Sequence, residues 1–571
     1  MIVSVGLMAT AGCEKWFRRT TTQPVEVSRP RRVLLPAGIA QTVAAYANLV
    51  GGTALPVMGY GIVGGLGDTG SSEVPTNLRK ILIKQMNKHM VGTHRYGGWK
   101  VSPERILEDK DTAVVFVSGR IPPAAPVGTR FDVTVEALPR TQTTSLEGGI
   151  LMSTELYLSM TSSKGTPIKS KDWAIASGAI FVNPFIDRSN LDELVKLRVG
   201  RIPNGGVVTR SRPIKLELRR PDYRMASLIQ QRINQRFSLR GEKVATAKTP
   251  AIIELHIPSS FRHDYRHFLE LLMHLYVPTD VAGQERYARQ MANAILLPTA
   301  RHEDIALTWE AMGRQVLQVI RPLYASENQA AAYYAARTGL RLGDELAVPA
   351  IIRIAQRENS PFQILAINEL GKTRKFPEVA KPLKRILLTS NNALVKVACY
   401  EALLQHGSNI IYRRDIAGHF LLDTVDSTGD YIIYATVTGQ PKIVLFGKKI
   451  PLNQPLFYSS EDDLVTINSY RNDKRVMVYR KIPGKDMYSD TLYFEPTVEQ
   501  LISTLGNRPE KDENGNIKGL GLTYCQIVRV LYGLCTSQQI PAKFVLQKSP
   551  ALRRTYISVP AAGRSDMPEG G

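Results

Sequence analysis

His263 and His267 stand four residues apart in FRHDYRHFLELL. On a helix that spacing puts both rings on one face, as paired metal ligands require. No third ligand follows, and Arg262 and Arg266 flank the pair, so a solvated, charged helix face is the stronger reading. GYGIVG, at Gly59–Gly64, has the form of a dinucleotide-binding glycine loop. That chemistry needs the loop to open onto a helix whose free N–H groups meet a pyrophosphate. Here GLGDTGSSEVP follows instead, which is turn chemistry, so the glycines are expected to serve turns and close backbone packing. Glu461, Asp462 and Asp463 cluster carboxylates in a polar loop with no implied cleft, which is too little for acid–base catalysis. The four cysteines, Cys13, Cys399, Cys525 and Cys535, form no CxxC pair and no Cys/His cluster. Cys525 and Cys535 would lie about 15 Å apart along one helix, beyond disulfide reach. These residues point to no catalytic site, no cofactor and no metal.

Cys13 carries a different chemistry. MIVSVGLMATAGC is a short apolar run ending in small residues and a cysteine, which reads as the end of a signal segment followed by a lipid-bearing Cys13. An ordinary apolar leader or a buried strand is the competing reading. No stretch approaches the roughly 20 apolar residues that span a bilayer.

The elements around these residues fall into blocks. At 571 residues the chain is too long for one core, and 43 Gly with 34 Pro imply many turns and a large β component. Residues 1–45 read as a leader and basic tether. Residues 46–280 are mostly β, with strands at AVVFV (Ala113–Val117), FDVTV (Phe131–Val135) and Ile150–Leu158, a helix near 75–90 and another over 222–237 capped by Asp222. Residues 281–410 turn Ala-rich and helical. Ala336, Ala366 and Ala398 occupy matching places, and Pro349 and Pro382 mark second helices, which suggests a short HEAT-like solenoid, with an irregular bundle as the alternative. Residues 411–550 are β-like again, with amphipathic segments at Val498–Leu505 and Cys525–Leu534, and 551–571 are a polar tail.

A resemblance to a known family emerges from several of these motifs in order. GYGIVGGLGDTGSS is similar to the N-terminal GYGLVVGL-x-GTGD signature of flagellar P-ring proteins. DKDTAVVFVSGRIPPAAPVGTRFDVTVEAL, SLEGGILMSTEL, WAIASGAIFV, GRIPNGGVVTRSRPIKLELRRPDYRMASLIQQRIN and VATAKTPAIIELHIP resemble successive family segments through residues 57–275. VEQLISTLG and CQIVRVLYGL…IPAKFVLQ, within 498–547, resemble its C-terminal end. The departure is residues 282–495, where the family has a short β-rich segment. The implied fold class is multidomain α+β: a β-rich P-ring-like N-terminal part, inserted HEAT-like α-helical repeats and a β-rich C-terminal part.

The resemblance implies a non-enzymatic, homo-oligomeric ring in the periplasm at the basal body. Its implied partners are flagellar rod proteins, the L-ring protein and peptidoglycan, with Cys13 as a lipid anchor to the outer membrane. Lys110 falls on the family's basic position before the AVVFV strand, and the family implies that basic residues there face the rod. Arg79, Lys80 and Lys84, on the preceding helix-like stretch, extend the same rod-facing patch. A formal charge of +22 permits attraction to an acidic shaft. The alternative is a cell-envelope scaffold or adaptor that keeps the P-ring fold without the flagellar role. Nucleic acid is favoured by charge alone, since no recognition module or stacking motif is present, so no nucleic-acid partner is expected.

Overall fold

The computed structural model describes residues 40–89, 102–158, 172–183, 186, 191–239, 241–262, 264–373, 376–407, 409–437, 440–460, 464–482, 487–510 and 517–547. Six strands close into a barrel in the order Leu55–Gly64, Thr112–Ile121, Arg130–Ala137, Val199–Val208, Ala174–Ala179 and Ile150–Leu158. Closure leaves no free edge, and the alternation of Arg130–Ala137 sends Phe131, Val133, Val135 and Ala137 into the interior. Helix Thr76–Lys88 lies outside the barrel and buries Leu78, Leu82 and Met86 against Ile62, Leu107 and Val114.

A second sheet orders Ala47–Val50, Ile214–Leu218, Ile252–Leu255 and Ala245–Ala247. Helix Tyr223–Phe237 covers it, burying Ala226, Ile229, Ile233 and Phe237 at helical spacing. Its N-terminus is fixed as expected: the Asp222 carboxylate accepts from the backbone N–H groups of Arg224 and Met225. Helix Tyr265–Met273 then carries the chain into a helical array.

The array stacks first helices His302–Met312, Gln329–Arg341, Gln363–Lys372 and Ala393–Gln405, with second helices including Ala347–Gln356 and Ala380–Thr389. Ala336, Ala366 and Ala398 are each buried on successive first helices, where they join the core of the array. Pro349 and Pro382 each occupy the third position of a second helix, where a missing N–H costs no intrahelical bond.

Beyond the array a five-stranded sheet runs Ile411–Ile416, Phe420–Val425, Lys442–Phe446, Tyr431–Ala435 and Ala542–Leu546. Its middle strands are apolar on both faces because both are covered. Ile432, Tyr434, Val444 and Phe446 join the core of the array, while Ile433, Ala435, Ile443 and Leu445 join the core of the barrel. A four-stranded antiparallel sheet (Leu456–Ser459, Val465–Ser469, Val476–Arg480, Leu492–Phe494) and helices Val498–Gly506 and Tyr524–Thr536 complete the C-terminal part.

Candidate interaction surfaces

GYGIVG is a strand, which corrects the expectation of turns for Gly59, Gly61 and Gly64. The expected close packing holds instead. A Cβ on Gly59 would overlap the Glu155 carbonyl oxygen, and one on Gly61 would overlap the Thr154 hydroxyl on the neighbouring barrel strand. The turn comes afterwards, with Gly65 at φ +82° and Gly67 at φ +58°. Its two free amides are capped internally: Gly65 N–H donates to Asp111 Oδ2 at 3.2 Å and Gly67 N–H to Asp111 Oδ1 at 2.6 Å. The protein's own carboxylate therefore sits where a phosphate would have to bind.

Asp109 is similarly engaged, accepting the Asp111 N–H at 3.0 Å. Both carboxylates flanking Lys110 thus serve the backbone, and Lys110 is exposed at the chain reversal before the Thr112–Ile121 strand. Lys80 and Lys84 are exposed one turn apart on Thr76–Lys88. Arg79 is half-buried and pairs with Glu108, so it ties this helix to Pro103–Glu108. Lys88 and His89 instead meet the buried Glu155 of the barrel. Cys13, His263 and the Glu461–Asp463 cluster lie outside the described residues. Cys399, Cys525 and Cys535 form no disulfide among the described residues; Cys525 and Cys535 share the helix Tyr524–Thr536, and burial pushes the Cys399 and Cys535 thiols up to about 12.

SLEGG and the C-terminal helix, far apart in sequence, meet in space. Arg529 donates to Glu147 at 2.7 Å across 382 residues, with both side chains about nine-tenths buried. The Cys525 thiol donates to the Val182 carbonyl oxygen at 3.2 Å, and the Phe181 and Tyr524 rings lie 6.0 Å apart. The helix itself begins with a capping box, Thr523 with Gln526. The two segments flanking the array therefore form one body with the barrel.

His267 corrects a second expectation. It is not on a solvated face: it is mostly buried and contacts Glu310, with Glu270 at 3.5 Å. Burial alone would lower its pKa, but the carboxylates of Glu270 and Glu310 outweigh that and hold it protonated, at about 9. From there an ionic ladder climbs the array. Glu310 takes Arg341 at 3.2 Å, Arg341 clasps Glu369 with two bonds of 2.7 and 2.8 Å, and Lys372 adds a third cation at 3.1 Å. Each rung sits on the next first helix. At the far end Tyr400 donates to the fully buried Asp423, which Arg413 grips bidentately at 2.7 and 2.8 Å, fastening the last helix to the five-stranded sheet. Of these residues only His267 was singled out from sequence, and none of the pairings was. Among the described residues no group of three or more His, Cys, Asp or Glu could hold a metal, and no helix is long and apolar enough to cross a membrane.

Residues 43–285 match the family model described as flagellar P-ring protein, and residues 317–404 match HEAT repeats. Similar proteins include a flagellar P-ring protein of Thermotoga petrophila, 32% identical over 40% of this chain and 64% of the relative. One from Aquifex aeolicus is 32% identical over 36% of this chain and 53% of the relative. One from Sinorhizobium fredii is 28% identical over 52% of this chain and 78% of the relative. The chain spans 64% of the first of these and about half of the second. Residues 43–285 are thus similar to the flagellar P-ring family, and residues 317–404 of the same polypeptide are similar to HEAT repeats.

Proposed function

We propose that this protein is a structural component of the P ring around the flagellar rod, acting by shape and charge and not by catalysis. The observation that carries the reading is that the family match falls on a closed barrel whose glycine signature is structural, with a C-terminal helix returning to it across the inserted repeats. Many copies would surround the rod in the periplasm, and the repeats would add a layer of contact to another envelope component. A bushing must bind weakly at each point while geometry confines the shaft, and exposed cations on each protomer suit that task. Co-purification of this chain with isolated basal bodies tests the reading. Its absence from them would favour an envelope adaptor that keeps the fold alone.

The rod-facing surface follows from the same reading. Lys80 and Lys110 are exposed, while Arg79 is occupied by Glu108, so the two lysines carry the proposed contact, with Lys84 beside them. A single exposed charge pair contributes at most about 1 kcal/mol, but every protomer repeats it. Lys80→Glu with Lys110→Glu is expected to leave circular dichroism unchanged and to reduce ring assembly and swimming. Wild-type swimming at native expression would remove the electrostatic part. Lipidation of Cys13 has its own test: mass spectrometry of the mature N-terminus is expected to show a diacylglyceryl cysteine, and an unmodified Cys13 preceded by further residues would exclude it.

A further inference from the structure

The four-stranded C-terminal sheet has one buried face and one open face. Leu456, Val465, Ile467, Val476, Val478 and Leu492 point into the core. On the other side the register aligns a row across all four strands: Phe457 opposite Asn468, Asn468 opposite Met477, and Met477 opposite Tyr493. Phe457 is 66% exposed and Tyr493 61%. They stand three strand spacings apart, roughly 14 Å. Tyr470, 71% exposed, meets Phe457 edge to face, with centroids 6.2 Å apart and planes at 85°.

The hairpin turn beside this row is cationic. Arg471, Lys474 and Arg475 are exposed there, and the carboxylate among them is already used, since Asp473 Oδ2 accepts the Tyr470 N–H at 2.7 Å. From the aromatic row and the cationic turn beside it, we propose that this face binds a linear acidic glycan, with sugar rings on Phe457 and Tyr493, hydroxyls at Asn468 and carboxylates at the Arg471–Arg475 turn.

The alternatives fit less well. A protein interface has a continuous apolar centre and a polar rim; this row has rings at its two ends, an amide and a single thioether, Asn468 and Met477, between them, and a cationic turn at one side. A nucleic-acid strand needs cations along its whole path; here they gather at one turn. The perpendicular Phe457–Tyr470 pair forms a corner that receives a thick, puckered ring better than a slot for a flat base. A β-1,4-linked pyranose chain offers a ring face of axial C–H bonds to an aromatic ring, as β-mannuronate does through H1, H3 and H5, and keeps its carboxylates at the edge, which is the pattern this row can read.

The test is calorimetric titration of the full chain with a β-1,4-linked hexamannuronate, with neutral cellohexaose as control. Saturable binding is expected for the acidic chain and weaker binding for the neutral one. Phe457→Ala with Tyr493→Ala is expected to weaken hexamannuronate binding by at least about tenfold, while Phe457→Tyr retains it. Both rings point outward, so an unchanged thermal transition will show that the double variant is folded. Failure of the wild-type chain to bind hexamannuronate, or equal affinity in the folded double variant, would overturn the proposal. So would stronger, salt-sensitive binding of oligothymidylate, or a loss of self-association in the double variant without any glycan binding.

Discussion

Arg341→Met is expected to destabilise the helical array by about 3–5 kcal/mol, because removing one partner of a buried ionic cluster leaves the others as unpaired charges. Arg341 stands between Glu310 and Glu369, whose side chains are each only 8% exposed. Methionine fills much of the volume but neutralises neither carboxylate. Burial pulls the Glu369 pKa upward, and Arg341 more than reverses this, holding it at about 2. Without Arg341 the burial effect dominates, so the variant should recover stability as the pH falls and the carboxylates take up protons. The wild-type chain should behave oppositely. The Glu369 contribution is present above its ordinary value of 4.5 and is lost as pH falls through about 2. The His267 contribution is present below its ordinary 6.5 and is lost as pH rises through about 9. Denaturant unfolding of the array, followed by tryptophan fluorescence through the buried Trp309, should therefore show a plateau between about 4.5 and 6.5 and a decline towards 9. His267→Gln should flatten the alkaline decline. Equal stability of Arg341→Met and the wild type at neutral pH would show that the ladder contributes nothing.

Gly59→Val should disrupt the barrel, at a cost of at least about 1–3 kcal/mol and with reduced soluble yield. The neighbour in the way is the backbone carbonyl of Glu155, on a strand paired on its other side to Ala174–Ala179. A closed barrel cannot move one strand without moving the next, so relaxation is restricted. Gly128→Ala serves as a control: its φ of +86° adds strain, but nothing lies within 4 Å of its Cβ. The control should lower the melting temperature less than Gly59→Val. Matching losses would mean that close packing is not why glycine occupies position 59.

Much of the fold was legible wherever local periodicity decides structure. Asp222 before a 3.6-residue apolar pattern gave the Tyr223–Phe237 helix, and Ala336, Ala366 and Ala398 gave the stacked helices. Barrel closure was not legible, because pairing Leu55–Gly64 with both Thr112–Ile121 and Ile150–Leu158 is a nonlocal choice. Nor was the strand nature of GYGIVG, since glycine's turn preference yields to strand pairing when a neighbouring backbone comes too close for a side chain. The ladder was missed for another reason. Glu310, Arg341 and Glu369 look individually like solvated charges, yet they are 31 and 28 residues apart, close to the spacing of the matching alanines. Charges of alternating sign recurring at a helical-repeat period were the available signal. His267 read as a surface residue because Arg262 and Arg266 surround it in sequence, whereas its burial depends on Glu310, 43 residues later.

Imaging basal bodies in situ by electron cryotomography, in cells with and without this chain, tests its assignment to the ring most directly. The account predicts a ring around the rod that disappears with the chain, and an outer layer of density that disappears when the repeats alone are replaced by a short linker while the ring remains. An intact ring, unchanged in both layers, in cells lacking the protein would contradict it.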